Sequence, residues 1–158
     1  MNLKNYTSSV PADRSISYIE RSLALAGARN INKEYRPGTD QVEALMFQME
    51  IRDGKSNRLI PMIFKLPVHV EEVFKVMYQE VRRPRPETEK RIRDQSHRTA
   101  WKILHDWVSV QVTMIRLEQA APLEIFLPYA WDPAKNKTFF QHVQDGGFKL
   151  LPGPVESK

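Results

Sequence analysis

The sequence predicts an α+β fold: an N-terminal helix, a three-stranded antiparallel meander, then a helical C-terminal half with one long central helix. Three observations carry this expectation. Apolar residues recur at helical spacing between residues 11 and 27, two later runs alternate apolar and polar at period two, and residues 87–120 hold a helical pattern with a wide apolar arc. A chain of 158 residues has the length of one domain and buries roughly two-thirds of its unfolded surface.

The first element is "VPADRSISYIERSLALAGA". Pro11 and Asp13 stand near a helix start, Ile16, Ile19, Leu23 and Ala26 repeat on one face, and Gly27 reads as the stop. Residues 1–10 are polar and are expected to be mobile. "NINKEYR" then leads through the turn "PGTD" into "QVEALMFQMEI", where Leu45, Phe47, Met49 and Ile51 share a face. A second turn, "RDGKSN", precedes "RLIPMIFKLP", with Ile60, Met62, Phe64 and Leu66 alternating and Pro61 marking an edge strand or a bulge.

"HVEEVFKVMYQEV" places Val70, Val73, Phe74, Met77 and Val81 on one side of a short amphipathic helix that must end before Pro84 and Pro86. Residues 82–87 form a basic, proline-containing connector. From about Glu87 a helix is expected to run to Ala120. Between Ala100 and Leu117 its apolar residues cover more than half the circumference, as a central core helix requires. This makes core packing the expected role of Trp101 and Trp107, against the alternative of base-stacking platforms. The tail carries the apolar cluster Leu123, Ile125, Phe126, Leu127, Tyr129 and Trp131, a turn at "DPAKNKT", a short helix "TFFQHVQDGG" capped by Gly146, and "FKLLPGP" as an extended closing segment. No internal repeat or low-complexity linker divides the chain, so 1–158 reads as a single domain.

Composition narrows the class. Apolar and charged fractions of 41% and 27% are those of a globular protein. The absence of cysteine excludes disulfides and thiolate metal sites and fits a reducing cytoplasm. No apolar run has the length of a signal peptide or a membrane helix, so the expectation is a cytoplasmic protein with no membrane partner.

Charge is concentrated. Residues 82–102 hold eight cations, Arg82, Arg83, Arg85, Lys90, Arg91, Arg93, Arg98 and Lys102, against Glu87, Glu89 and Asp94, a balance of +5 that equals the formal charge of the whole chain. At about 100° per residue, Arg91, Gln95, Arg98, Lys102, His105, Ser109 and Arg116 fall in one sector of the central helix, spanning roughly 37 Å. Such a row suits a phosphate backbone. Opposing this, Glu87 with Arg91, Lys90 with Asp94, and Asp94 with Arg98 stand at ion-pair spacing, which would blunt the field.

Signs of catalysis are missing. There is no phosphate loop, no dinucleotide-binding glycine pattern and no G-x-S-x-G elbow. His97 and His105 lie about 80° apart and more than two turns along the helix, too far to share a metal. Asp40, Glu50, Glu71 and Glu72 show no metal-site spacing. Hence no metal, cofactor or catalytic residue is expected.

The order "VPADRSISYIERSLALAGA", "FKLP", "HRTAWKILHDWVSVQVTMIRLE", "EIFLPYAWD" and "LLPGP" resembles a family of small proteins encoded by phages and prophage-like regions. The likeness covers most of the chain, with the basic connector matching least. It rests on aromatic and apolar anchors. The family has no assigned activity, so the resemblance implies a setting, phage or mobile-element biology in a bacterial cytoplasm, and no site residues.

The leading expectation is a non-enzymatic nucleic-acid-binding accessory protein, for single strands among others, contacting phosphates through Arg82, Arg83, Arg85, Arg91, Arg98, Lys102 and His105 without sequence specificity. Two alternatives stay open: a protein-interaction or inhibitor module docking an acidic protein partner, and a binder of anionic nucleotides. The edge strand and the wide apolar arc also leave room for a homo-oligomer.

Overall fold

The computed structural model describes residues 3–155. Its elements are α1 (Ala12–Leu25), β1 (Arg29–Tyr35), β2 (Val42–Arg52), β3 (Leu59–Pro67), α2 (Val70–Tyr78), α3 (Pro86–Arg116), α4 (Pro122–Phe126) with a 3₁₀ turn at Leu127–Tyr129, β4 (Trp131–Asp132), β5 (Lys137–Thr138) and α5 (Phe139–Asp145). This is the α+β order read from the sequence. No helix among the described residues is long and apolar enough to cross a membrane.

The sheet has the order β1-β2-β3, antiparallel throughout. Its register sets Leu45 opposite Leu66, Phe47 opposite Phe64, Met49 opposite Met62 and Ile51 opposite Ile60, so the two alternating apolar sets meet on one face. Pro61 lies opposite Glu50 within an unbroken ladder, and β3 is an edge strand. The β1–β2 ladder shifts register twice, between Arg29 and Asn32 beside Asn30 with φ of 52°, and between Glu34 and Tyr35, where β2 steps from Ala44 to Val42.

That apolar face shares one core with α1 and α3. Ile16, Ile19 and Leu23 from α1, Trp101 and Val108 from α3, and Phe126 from α4 are all essentially inaccessible to solvent. Phe47 stacks on Phe64 with centroids 5.5 Å apart, and Phe126 meets Phe47 edge-on at 5.2 Å. Trp107 packs edge-on against Phe126 and Tyr129. Both tryptophans are therefore committed to packing. The apolar arc of α3 is only partly covered, however, because Val110, Met114 and Leu117 face solvent at its C-terminal end.

Three helices end in the same way. In α1 the Ala28 N–H donates to the Leu23 carbonyl and the Gly27 N–H to that of Ala24, with Gly27 left-handed at φ 101°. In α5, Phe148 and Gly147 bond to Val143 and Gln144, and Gly147 at φ 66° is the left-handed residue, one position beyond the expected Gly146. In α3, Gln119 and Glu118 bond to Met114 and Ile115, and a glutamate occupies the left-handed position at φ 58°. The central helix thus stops at Arg116 and not at the expected Ala120, at a turn that no glycine marks in the sequence. The closing segment also differs from the extended reading: Leu151 N–H donates to Phe148, making a turn before the chain straightens.

Candidate nucleic-acid interface

The basic segment begins where α2 ends. Phe74 is the buried anchor of α2, and Ser96 of α3 reaches Met77 at 3.5 Å. After Tyr78 the chain turns back, with the Val81 N–H donating to the Tyr78 carbonyl at 3.0 Å. Residues before prolines avoid the helical region, which keeps Arg83 and Arg85 out of helix. Arg85 is extended at φ −119° and ψ 158°, and Pro86 occupies the first turn of α3, where its missing N–H costs nothing.

Arg82, Arg83, Arg85, Lys90 and Arg91 are all exposed. Among the described residues none of the five forms an ion pair; the pairs expected from spacing, Glu87 with Arg91, Lys90 with Asp94 and Asp94 with Arg98, are not made. Glu89 turns instead to Arg93 at 3.5 Å, and Arg93 also reaches Glu71 at 3.1 Å. Arg93 is thereby withdrawn from the basic set, and its guanidinium lies 4.0 Å over the Phe74 ring.

The rest of the predicted stripe has another fate. Residues 3–10, expected to be mobile, lie along it from Leu3 onward; positions 1 and 2 fall outside the described residues. Gln95 donates to the Ser8 carbonyl at 3.0 Å, Arg98 donates to Gln95 at 2.6 Å and to Ser8 at 3.4 Å, and Thr99 donates to the Asn5 carbonyl at 3.0 Å. Asn5 donates to Asp106 at 2.9 Å, and Lys102 donates to the same carboxylate at 3.1 Å. His105 holds Nδ1 2.9 Å from Asp106, and its ring lies 3.9 Å from that of Tyr18, whose hydroxyl meets Ser109 at 3.0 Å.

Arg98, Lys102 and His105 are half-buried members of a clasp that fastens the N-terminal segment and α1 to α3. This corrects the outward row read from helical geometry. The sector exists, but a neighbouring piece of chain covers its middle. Desolvation pushes the Asp106 carboxyl up, yet the hydrogen bonds from Asn5, His105 and Lys102 outweigh it and hold the group well below the usual carboxylate range.

A cleft of about 690 Å³ opens between α2, α3 and the start of β2. Its charged lining is Arg36 and Arg93 against Glu43, Glu71, Glu72 and Asp94, so its field repels anions. His97 projects here with Nε2 buried and without a hydrogen-bond partner among the described residues. Burial lowers its pKa, opposed by Asp13, Asp94 and Asp40 and aided by Arg98. Among the described residues no three His, Asp or Glu side chains converge as metal ligands. The cleft's charged lining is thus net negative, whereas the connector and the start of α3 present cations that form no ion pairs among the described residues.

Tyr78 is the residue that charge-based reading missed. Its ring stacks on Phe74 at 5.2 Å and 23°. The signal was the aromatic pair four apart in α2, which an apolar-face reading assigned only through Phe74. Comparison with known proteins finds no matching family model, no matching curated protein and no matching solved structure.

Proposed function

We propose that this protein is a non-enzymatic nucleic-acid-binding accessory protein of a phage or mobile element, acting in the bacterial cytoplasm and contacting the phosphate backbone largely without sequence preference. The observation that supports this reading is the set of five exposed cations, Arg82, Arg83, Arg85, Lys90 and Arg91, without ion pairs among the described residues and within ten positions of one another. Arg82, Arg83 and Arg85 sit on a proline-stiffened connector and Lys90 and Arg91 on the first turns of α3, so meeting phosphates orders side chains but little backbone.

The interface is correspondingly smaller than the whole stripe. Arg98, Lys102 and His105 act indirectly, by fixing α3. Fluorescence anisotropy with labelled single- and double-stranded oligonucleotides at about 50 mM salt tests the reading, with an expected log–log salt slope of roughly −3 to −4.5 for up to five phosphate contacts. Absence of binding to every oligonucleotide would sink it. Binding that an acidic polypeptide matches at equal charge would turn the reading to a protein partner.

A further inference from the structure

We infer that Tyr78 is a base-stacking platform and that the connector therefore prefers single-stranded nucleic acid to duplex. The inference rests on the phosphate-binding reading of Arg82, Arg83 and Arg85, and adds to it an aromatic site on α2.

The geometry is two contacts on the Phe74 ring. Arg93 lies 4.0 Å over Phe74, and Phe74 lies 5.2 Å from Tyr78 at an interplanar angle of 23°. Both partners are held in place, because Glu71 and Glu89 pair with Arg93 and Phe74 is buried. Tyr78 is the more exposed ring. It is partly exposed, and its hydroxyl has no hydrogen-bond partner among the described residues and is not enclosed. A ring held on one side by another ring offers its other side to a third planar group at little entropic cost.

Position completes the case. The hydrogen bond from Val81 to Tyr78 closes a tight turn directly after Tyr78, so Arg82 and Arg83 follow it within five residues. Cations for phosphates next to an aromatic face for bases is the arrangement that single-strand binding surfaces use, and it tolerates any base because every base has a π-face. A duplex keeps its bases stacked on one another and offers this ring only its backbone. Trp101 is buried, and the half-buried Trp107 packs edge-on against Phe126 and Tyr129, about 24 Å along α3 from Arg91.

The test compares three probes on the full chain at one salt concentration: a deoxythymidine oligomer, an abasic oligomer with the same number of phosphates, and a duplex of equal length. The thymidine strand should bind roughly tenfold tighter than the abasic strand. Tyr78→Leu should erase that gap, and Tyr78→Phe should preserve it. Equal affinity of the wild-type protein for thymidine and abasic strands overturns the inference while leaving backbone binding intact; no binding to any probe ends both. Because the thymidine-to-abasic ratio is read on wild-type protein, the outcome does not depend on whether a variant folds.

Discussion

The two ends of the basic segment use the same residue types, at the entry to α3 and further along it, and come to opposite ends. At the entry to α3, Arg82, Arg83, Arg85, Lys90 and Arg91 stand in solvent. Two turns on, Arg98, Lys102 and His105 are half-buried and bonded to Gln95, Ser8, Asp106 and Tyr18. What separates them is a piece of chain nearly a hundred positions away, residues 3–10, which lies over one set and not the other. A cation's place on a helix wheel says where it points. Whether water or another segment meets it there depends on the fold.

Removing one set and then the other is the strongest way to break this contrast. Replacing Arg82, Arg83 and Arg85 together with alanine should weaken oligonucleotide binding on the order of 100-fold at low salt and flatten the salt slope by about three, with thermal stability nearly unchanged. The reverse pattern, lost stability with intact binding, would mean that the connector is structural and the interface lies elsewhere.

The clasp should respond in the opposite sense. Asp106→Asn removes the charge on which Asn5, Lys102 and His105 converge, and should cost about 2 kcal/mol, read from denaturant unfolding, while salt-dependent binding persists. Residues 3–10 should become the first site of proteolysis in this variant. The sign with pH follows from the lowered pKa of Asp106: its contribution is complete above the ordinary value of 3.8, declines as pH falls from there, and is gone only when the folded carboxyl is itself protonated.

His97 lies between the two regions and titrates in a separate window. Its folded pKa lies below the ordinary 6.5, so the neutral form is favoured by folding. Stability should be at its plateau above that value and decline as pH falls from it toward the folded pKa, because there the unfolded chain binds the extra proton. His97→Gln should flatten this decline. An unchanged slope between the two proteins would assign the acid sensitivity to another group.

Much of this was legible in the sequence. Period-two alternation placed β2 and β3 correctly because their inward residues face a core and their outward ones do not, and Gly27 marked the end of α1 because only φ above zero closes that turn. The site was legible only in part. Arg82, Arg83, Arg85 and Arg91 are exposed, as a solvated basic segment requires. The cover over Arg98, Lys102 and His105 was not legible, because the hydrogen bonds to Ser8 and Asn5 join residues distant in sequence, and a polar N-terminus reads as mobile whether or not a partner awaits it. Tyr78 was missed for a different reason: it stacks on Phe74 and is half-buried, and apolar periodicity does not distinguish a half-covered ring from a buried one.

The mildest perturbation lies at the far end of α3 and separates binding from helix stability. Glu118 holds a left-handed position that Gly27 and Gly147 fill in α1 and α5. A side chain with a Cβ is disfavoured there, and glycine relieves the crowding while giving up some unfolded-state entropy. Glu118→Gly should therefore stabilise the protein by roughly 0.5–1 kcal/mol, a rise of about 2–4 °C per kcal/mol in thermal midpoint for a domain of this size. Since Glu118 stands at the opposite end of a 31-residue helix from the connector cations, oligonucleotide affinity should not change. If affinity rose with stability, the entry to α3 would be ordered by the helix as a whole, and the independence of the two regions would fail.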